Sequence, residues 1–265
     1  MELPDGWSTG TVRTNGVDLQ YYRTGEGEPI VLAHGFYDTG RCWERLAAGL
    51  AADGYEVLTY DARGHGRSDA PETGYGIEDR VADLRGLVDE LGLERPLLLG
   101  HSMGGSTVAW AAATHPDLAR AIALEDPAGM YGDPDLGPDE RAAVVEERCA
   151  EWAAQSLEER MSAFDDRDES LARRLAVARA EFDPHSAEIA RAGYPLLEDT
   201  FAEITCPTLV LKADAETSRR VRDLEAAAAL SNGRLVHVPD AGHCIFRDEY
   251  EAAFAELRTF CSQHG

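Results

Sequence analysis

The stretch Leu97–Gly105, LLLGHSMGG, constrains this chain more than any other. Three leucines run into a glycine-flanked serine, and small and apolar residues come after it. A short apolar run closed by a turn signal reads as a buried strand, and the residues beyond the turn have helical character. Strand, turn and helix around G-x-S-x-G lift the serine hydroxyl clear of a sheet on a strained backbone, with a helix N-terminus beneath it. The unpaired N–H groups and partial positive charge of that terminus favour a developing anion. Gly100 and Gly104 are the positions where strand and helix must approach closely. The plain alternative for Ser102 is an ordinary helix-capping serine, so the rest of the chain has to decide.

Around this stretch, apolar strands alternate with amphipathic helices. GTVRTNGVDLQYYRTG alternates polar and apolar residues about Asn15-Gly16 and predicts a β-hairpin. PIVLAHG (29–35), YEVLTYDARG, PLLLGHS and RAIALEDPAG read as strands. RCWERLAAGLAADG, IEDRVADLRGLVDELG and STVAWAAATHP read as the helices between them. That order implies βαβ units and a mostly parallel, doubly wound sheet with helices on both faces. From about residue 128 to 203 only helical patterns are found, and alternation resumes with PTLVLKAD, an alanine-rich helix (219–230), GRLVHVPDAGH and a final helix (249–262). The expected organisation is an α/β core of residues 1–127 and 204–265, interrupted by a helical cap, 128–203.

Three further segments fall in a fixed order with the serine. AHGF (33–36) ends an early strand, where a loop N–H would complete an oxyanion hole. DARGHGRSD (61–69) comes after the next strand, and DAGHC (240–244) supplies a late histidine. With these segments the chain resembles the α/β-hydrolase fold superfamily along essentially its whole length. The resemblance implies an eight-stranded core with a cap after the sixth strand. It also implies Ser102 as nucleophile, His243 as base and the N–H groups of Phe36 and Met103 as oxyanion donors. The chemistry requires such a set. A neutral hydroxyl is a poor nucleophile, so a base must take its proton as it attacks. A carboxylate must orient the imidazole, and preorganised donors must meet the oxyanion.

The carboxylate is left open between three residues. In many family members the acid lies after the seventh strand, three residues beyond a glycine. Here Ala213 stands at the glycine's place, so that offset lands on Glu216, with Asp214 nearer the strand end. Asp126, at the end of the sixth strand, is the preferred candidate, because Pro127 is expected to hold it in an extended conformation. DPAG and DAGHCIFRDE resemble members of the N-formylmaleamate deformylase type, in which the acid after the sixth strand serves.

The chain carries a formal net charge of −24, with 24 arginines and one lysine, Lys212. No basic stripe is available for nucleic acid or for an anionic membrane surface. The acidity and the scarcity of lysine point to a salt-adapted source, in which Lys212 is part of a solvated surface and has no chemical role. Five scattered cysteines include no CxxC pair, and no apolar run reaches membrane-spanning length. The N-terminus lacks signal-peptide character, so a cytoplasmic setting is expected. No metal-ligand spacing and no phosphate or dinucleotide loop is present, so no cofactor is expected.

The reading is therefore a serine hydrolase acting on a small ester, lactone or amide, as a monomer or homodimer. His34, Gly35, Trp152 and Phe246 are candidate pocket residues. A serine in place of an aspartate nucleophile disfavours epoxide and haloalkane chemistry. Cofactor-free perhydrolysis, carbon–carbon bond hydrolysis and a non-catalytic ligand-binding role are the alternatives.

Overall fold

The structure, a computed structural model, describes residues 2–131 and 136–264. The expected hairpin is β1 (Ser8–Thr14) and β2 (Val17–Thr24), joined by Asn15 and Gly16, both at positive φ. Positive φ at both central residues is what a tight hairpin turn demands. Then come β3 (Glu28–Ala33), α1 (Glu44–Ala52), β4 (Tyr55–Tyr60), α2 (Ile77–Glu90), β5 (Leu97–His101), α3 (Met103–Thr114) and β6 (Ala121–Glu125). Helices α4 (Pro138–Ala154), α5 (Leu157–Ser162), α6 (Glu169–Ala180), α7 (Ala187–Ala192) and α8 (Leu197–Phe201) come next. The chain ends with β7 (Thr208–Lys212), α9 (Thr217–Ala227), β8 (Gly233–His237), α10 (Ile245–Asp248) and α11 (Tyr250–His264).

The eight strands form one sheet in the order β1-β2-β4-β3-β5-β6-β7-β8. The ladders from β4 to β8 are parallel, and β2 runs antiparallel to both its neighbours. Each central strand is buried on both faces, which explains the unbroken apolar runs. On one face Val31, Leu98, Leu124 and Val210 pack with residues of α2, α3, α8 and α9. On the other, Leu32, Leu99, Ala123 and Leu211 pack with residues of α1, α10 and α11. The fold is that of an α/β hydrolase, with helices on both sides of an eight-stranded, mostly parallel sheet.

Helices α4 to α8 fall between β6 and β7, within the expected cap segment; residues 132–135 of that segment lie outside the described residues. After α4 the helical chain breaks at Gln155, and Ser156 caps α5 in a box with Glu159. Trp152 and Phe182 pack on Tyr37, with ring centroids 5.1 and 5.4 Å away. Arg174 pairs with Glu44 at 2.8 Å and Arg167 with Asp248 at 2.7 Å, tying α6 and its approach to α1 and α10.

Candidate active site

The site lies at the C-terminal ends of the central strands. Ser102 joins β5 to α3 with φ +49° and ψ −111°, a conformation rarely adopted by residues with a side chain. Backbone bonds hold it there: its N–H donates to the Glu125 carbonyl at 2.9 Å, and its carbonyl accepts from the N–H groups of Ala128 and Ser106, each at 3.0 Å. The flanking glycines are required by contact. A Cβ on Gly100 would collide with the Gly104 carbonyl, and one on Gly104 with the Ala33 carbonyl. Met103 opens α3, so its N–H is one of the first-turn donors without an intrahelical partner.

Phe36 sits in the loop after β3. His65 Nε2 lies 2.6 Å from its carbonyl oxygen, and the Phe182 ring meets it edge-on at 5.3 Å. His34 is buried, and its Nε2 accepts the Ala62 N–H at 2.9 Å. Its Nδ1–H must then donate to the Gly35 carbonyl at 2.7 Å. Burial, with the nearby His65, pushes its pKa down to about 3, so the ring is neutral. His34 and Gly35 thus shape the loop that carries Phe36.

His243 comes after β8, and its side chain is 55% exposed. Its Nδ1 lies 2.6 Å from Asp126 Oδ2. Its carbonyl accepts from His101 Nε2 at 3.1 Å, and His101 Nδ1 lies 3.7 Å from Asp38 Oδ2. Asp38 in turn accepts from Arg247 Nη2 at 2.7 Å. Burial alone would lower the His101 pKa. The charges of Glu125 and of the nearby Asp38 carboxylate outweigh it and raise the pKa well above the usual imidazole value. Glu125 also accepts the Phe246 N–H at 2.9 Å. Buried charged groups on both sides therefore anchor the segment that carries His243.

Among the described residues, the carboxylate within hydrogen-bonding distance of the His243 ring is that of Asp126. Asp126 does not have the extended backbone expected before Pro127: its φ is +37°. Its N–H is drawn to the Leu211 carbonyl at 2.8 Å, while Ala128 turns back to Ser102, and together these bonds override the preference of a residue before proline. Asp126 is buried. Burial pushes its pKa up, but the His243 hydrogen bond and the Lys212 charge more than compensate and bring it to about 2.

Lys212 corrects the sequence reading. It is not on the surface: its side chain is 3% exposed, at the end of a strand buried on both faces. Its ammonium forms an ion pair with Asp126 Oδ1 and lies 3.9 Å from Asp223 Oδ1. Asp223, on α9, is fully buried, accepts from the Tyr131 hydroxyl, and lies 2.9 Å from His237 Nε2. Strand alternation carried a signal for this, since Lys212 shares a face with the buried Val210. The partners, 86 residues back and 11 ahead, could not be read from spacing.

The other candidate acids lie elsewhere. Asp214 Oδ2 accepts the Asp240 N–H at 3.1 Å, and its Oδ1 pairs with Arg220. Glu216 is exposed and precedes the first turn of α9. Trp152 backs the Phe36–Tyr37 loop as part of an aromatic cluster. Phe246 is buried with Trp43, 6.3 Å away, on the sheet face opposite Met103, and lines a separate cavity of about 320 Å³. No described helix is long and apolar enough to cross a membrane. Among the described residues, no group of three His, Cys, Asp or Glu side chains is arranged to hold a metal ion.

Comparison with known proteins agrees with this fold. The model of the "Alpha/beta hydrolase family" matches residues 30–257. A "Putative non-heme chloroperoxidase" from Synechocystis is 29% identical over 263 residues, covering 90% of this chain and 92% of that protein. "Epoxide hydrolase A" from Mycobacterium tuberculosis is 43% identical over 116 residues, but these cover only 42% of this chain and 36% of that protein. Among solved structures, the enol-lactonase from Burkholderia xenovorans LB400 superposes with a TM-score of 0.75 at 27% identity, covering 96% of this chain and all of that one.

Proposed function

Because the chain belongs to the alpha/beta hydrolase family, we propose that it is a serine hydrolase that cleaves a small ester, lactone or amide through an acyl-enzyme. The observation that carries this reading is the 2.6 Å bond between His243 Nδ1 and Asp126 Oδ2, beside a serine on a strained elbow. An ionised Asp126 makes Nδ1 the protonated nitrogen and leaves Nε2 as the base. Nε2 takes the Ser102 proton as Oγ attacks the acyl carbon. The N–H groups of Met103 and Phe36 receive the oxyanion, each contributing about 3 kcal/mol to the barrier reduction. His243 returns the proton to the leaving group and then activates water to hydrolyse the acyl-enzyme.

In this reading residues 128–203 form the cap over a core of 1–127 and 204–265. His34 and Gly35 hold the oxyanion loop, and Trp152 supports it from the cap side. A serine nucleophile speaks against epoxide opening, despite the partial likeness to an epoxide hydrolase. The likeness to a protein named as a chloroperoxidase, which spans most of both chains, favours one second reading: hydrogen peroxide intercepts the acyl-enzyme and yields a peracid. We also read the net charge of −24 as adaptation to high salt.

The test is reaction with a fluorophosphonate probe together with turnover of p-nitrophenyl esters of rising chain length, in low and molar KCl. Labelling that is lost in Ser102→Ala, with turnover of the short esters, is expected. Neither labelling nor turnover in either salt would sink the reading. A melting temperature that does not rise with KCl would remove the salt adaptation alone.

A further inference from the structure

We propose that Lys212 is a positioning residue: its ammonium, buried between Asp126 and Asp223, holds the Asp126 carboxylate with Oδ2 toward His243 and sets the pH at which His243 becomes a base. This rests on the reading of Ser102, His243 and Asp126 as the reacting group.

The geometry divides the Asp126 carboxylate between two partners. Oδ2 meets the imidazole at 2.6 Å and Oδ1 meets the ammonium. Asp223 anchors the ammonium from the other side at 3.9 Å, and is itself fixed by Tyr131 and His237. The cation therefore sits between two buried anions, of which Asp126 is 8% exposed and Asp223 fully enclosed. Without the cation, two like charges would share a poorly solvated space, which raises carboxylate pKa values.

The charged and titratable groups facing this cluster come from every neighbouring element. Lys212 is on β7, Asp223 on α9, His237 on β8, His243 beyond β8 and Tyr131 beyond β6. Arg219 and Arg222 stack over the Tyr131 ring at 5.6 and 4.5 Å. Glu125 and His101 interact with each other and with the segment carrying His243.

The choice of residue supports a specific task. Everywhere else the chain uses arginine for its fixed cations, 24 times. An arginine fork is planar and wide, whereas an ammonium is a compact point charge that fits between two single oxygens.

Removing a cation beside a coupled acid–base pair raises the pair's apparent pKa, because the protonated state is no longer repelled. The experiment is an NMR titration of the His243 imidazole, assigned with His243→Gln, in the full-length protein and in three variants. In Lys212→Met the His243 midpoint should move up by about 1 pH unit, the size of a charge interaction across several ångströms of protein. Asp223→Asn removes an anion and leaves the lysine, so the midpoint should move down. Lys212→Met/Asp223→Asn keeps the buried charge balanced if the single lysine variant does not fold, and its midpoint should move up. With p-nitrophenyl acetate, kcat should fall about tenfold in the lysine variants with KM within twofold. Unmoved midpoints in folded variants would overturn the proposal, as would a loss of melting temperature alone. If the unmodified protein neither labels at Ser102 nor turns over, the hydrolase reading fails, while the opposite midpoint shifts still report on Lys212.

Discussion

The ends of β6 and β7 each present an aspartate to the edge of the sheet where the site lies, and the two aspartates have been put to different use. Asp126 and Asp214 both have pKa values brought down to about 2. For Asp126, burial opposes that shift and is overcome by an imidazole and an ammonium. For Asp214, with 34% side-chain exposure, the Asp240 N–H contributes most, then Arg220 and Ala215. A low carboxylate pKa is therefore not a mark of chemistry. One aspartate meets a ring that can move a proton, and the other stitches the turn after β7 to the loop before His243.

Substitutions can break this contrast. Asp126→Asn should lower kcat about 10⁴-fold on a p-nitrophenyl ester, because the amide no longer specifies the base tautomer of His243. Turnover near that of the unmodified protein would return the acid to Asp214 or Glu216. The same residue should govern acid stability. Its folded pKa lies below its ordinary 3.8, so its contribution is present above about pH 4 and lost as the pH falls toward 2. That loss is about 2 kcal/mol, measurable as a shift in urea midpoint between pH 4 and 2 that Asp126→Asn should reduce. Asp214→Asn should leave kcat/KM within about threefold and lower the melting temperature by a few degrees, through the loosened turn. Glu216→Gln should change neither quantity measurably, as expected of an exposed residue whose side chain is not used as a cap.

How far the chain can be read from its residues obeys the same division. Strands buried on both faces write themselves as unbroken apolar runs, and the elbow carries its glycines in order. The sheet, Ser102 and His243 can therefore be located from local pattern. The final helix expected at 249–262 is α11, whereas the short α10 before it is not expected from the sequence. The meeting of Asp126 with Lys212 depends on the register between β6 and β7. Glu125 pairs with Leu211, which brings Asp126 beside Lys212. No periodicity within either strand encodes that register. The same holds for Glu125 and His101, which meet through the β5–β6 register, and for Asp38 and Arg247, which meet only once α10 has docked. Compositional reasoning misleads most at Lys212: one lysine in an acidic chain looks like surface chemistry and is instead enclosed.

The link from His243 to Asp126 spans 117 residues of chain. On a ribosome adding about 5–20 residues per second, Asp126 emerges roughly 6 to 23 s before the imidazole that meets it. Lys212 lies 86 residues beyond Asp126 and 31 before His243, so through most of that interval Asp126 has neither of its partners. Under the proposed mechanism, a nascent or truncated chain would carry a serine without its base, and the protein would arm itself only when its last quarter has folded.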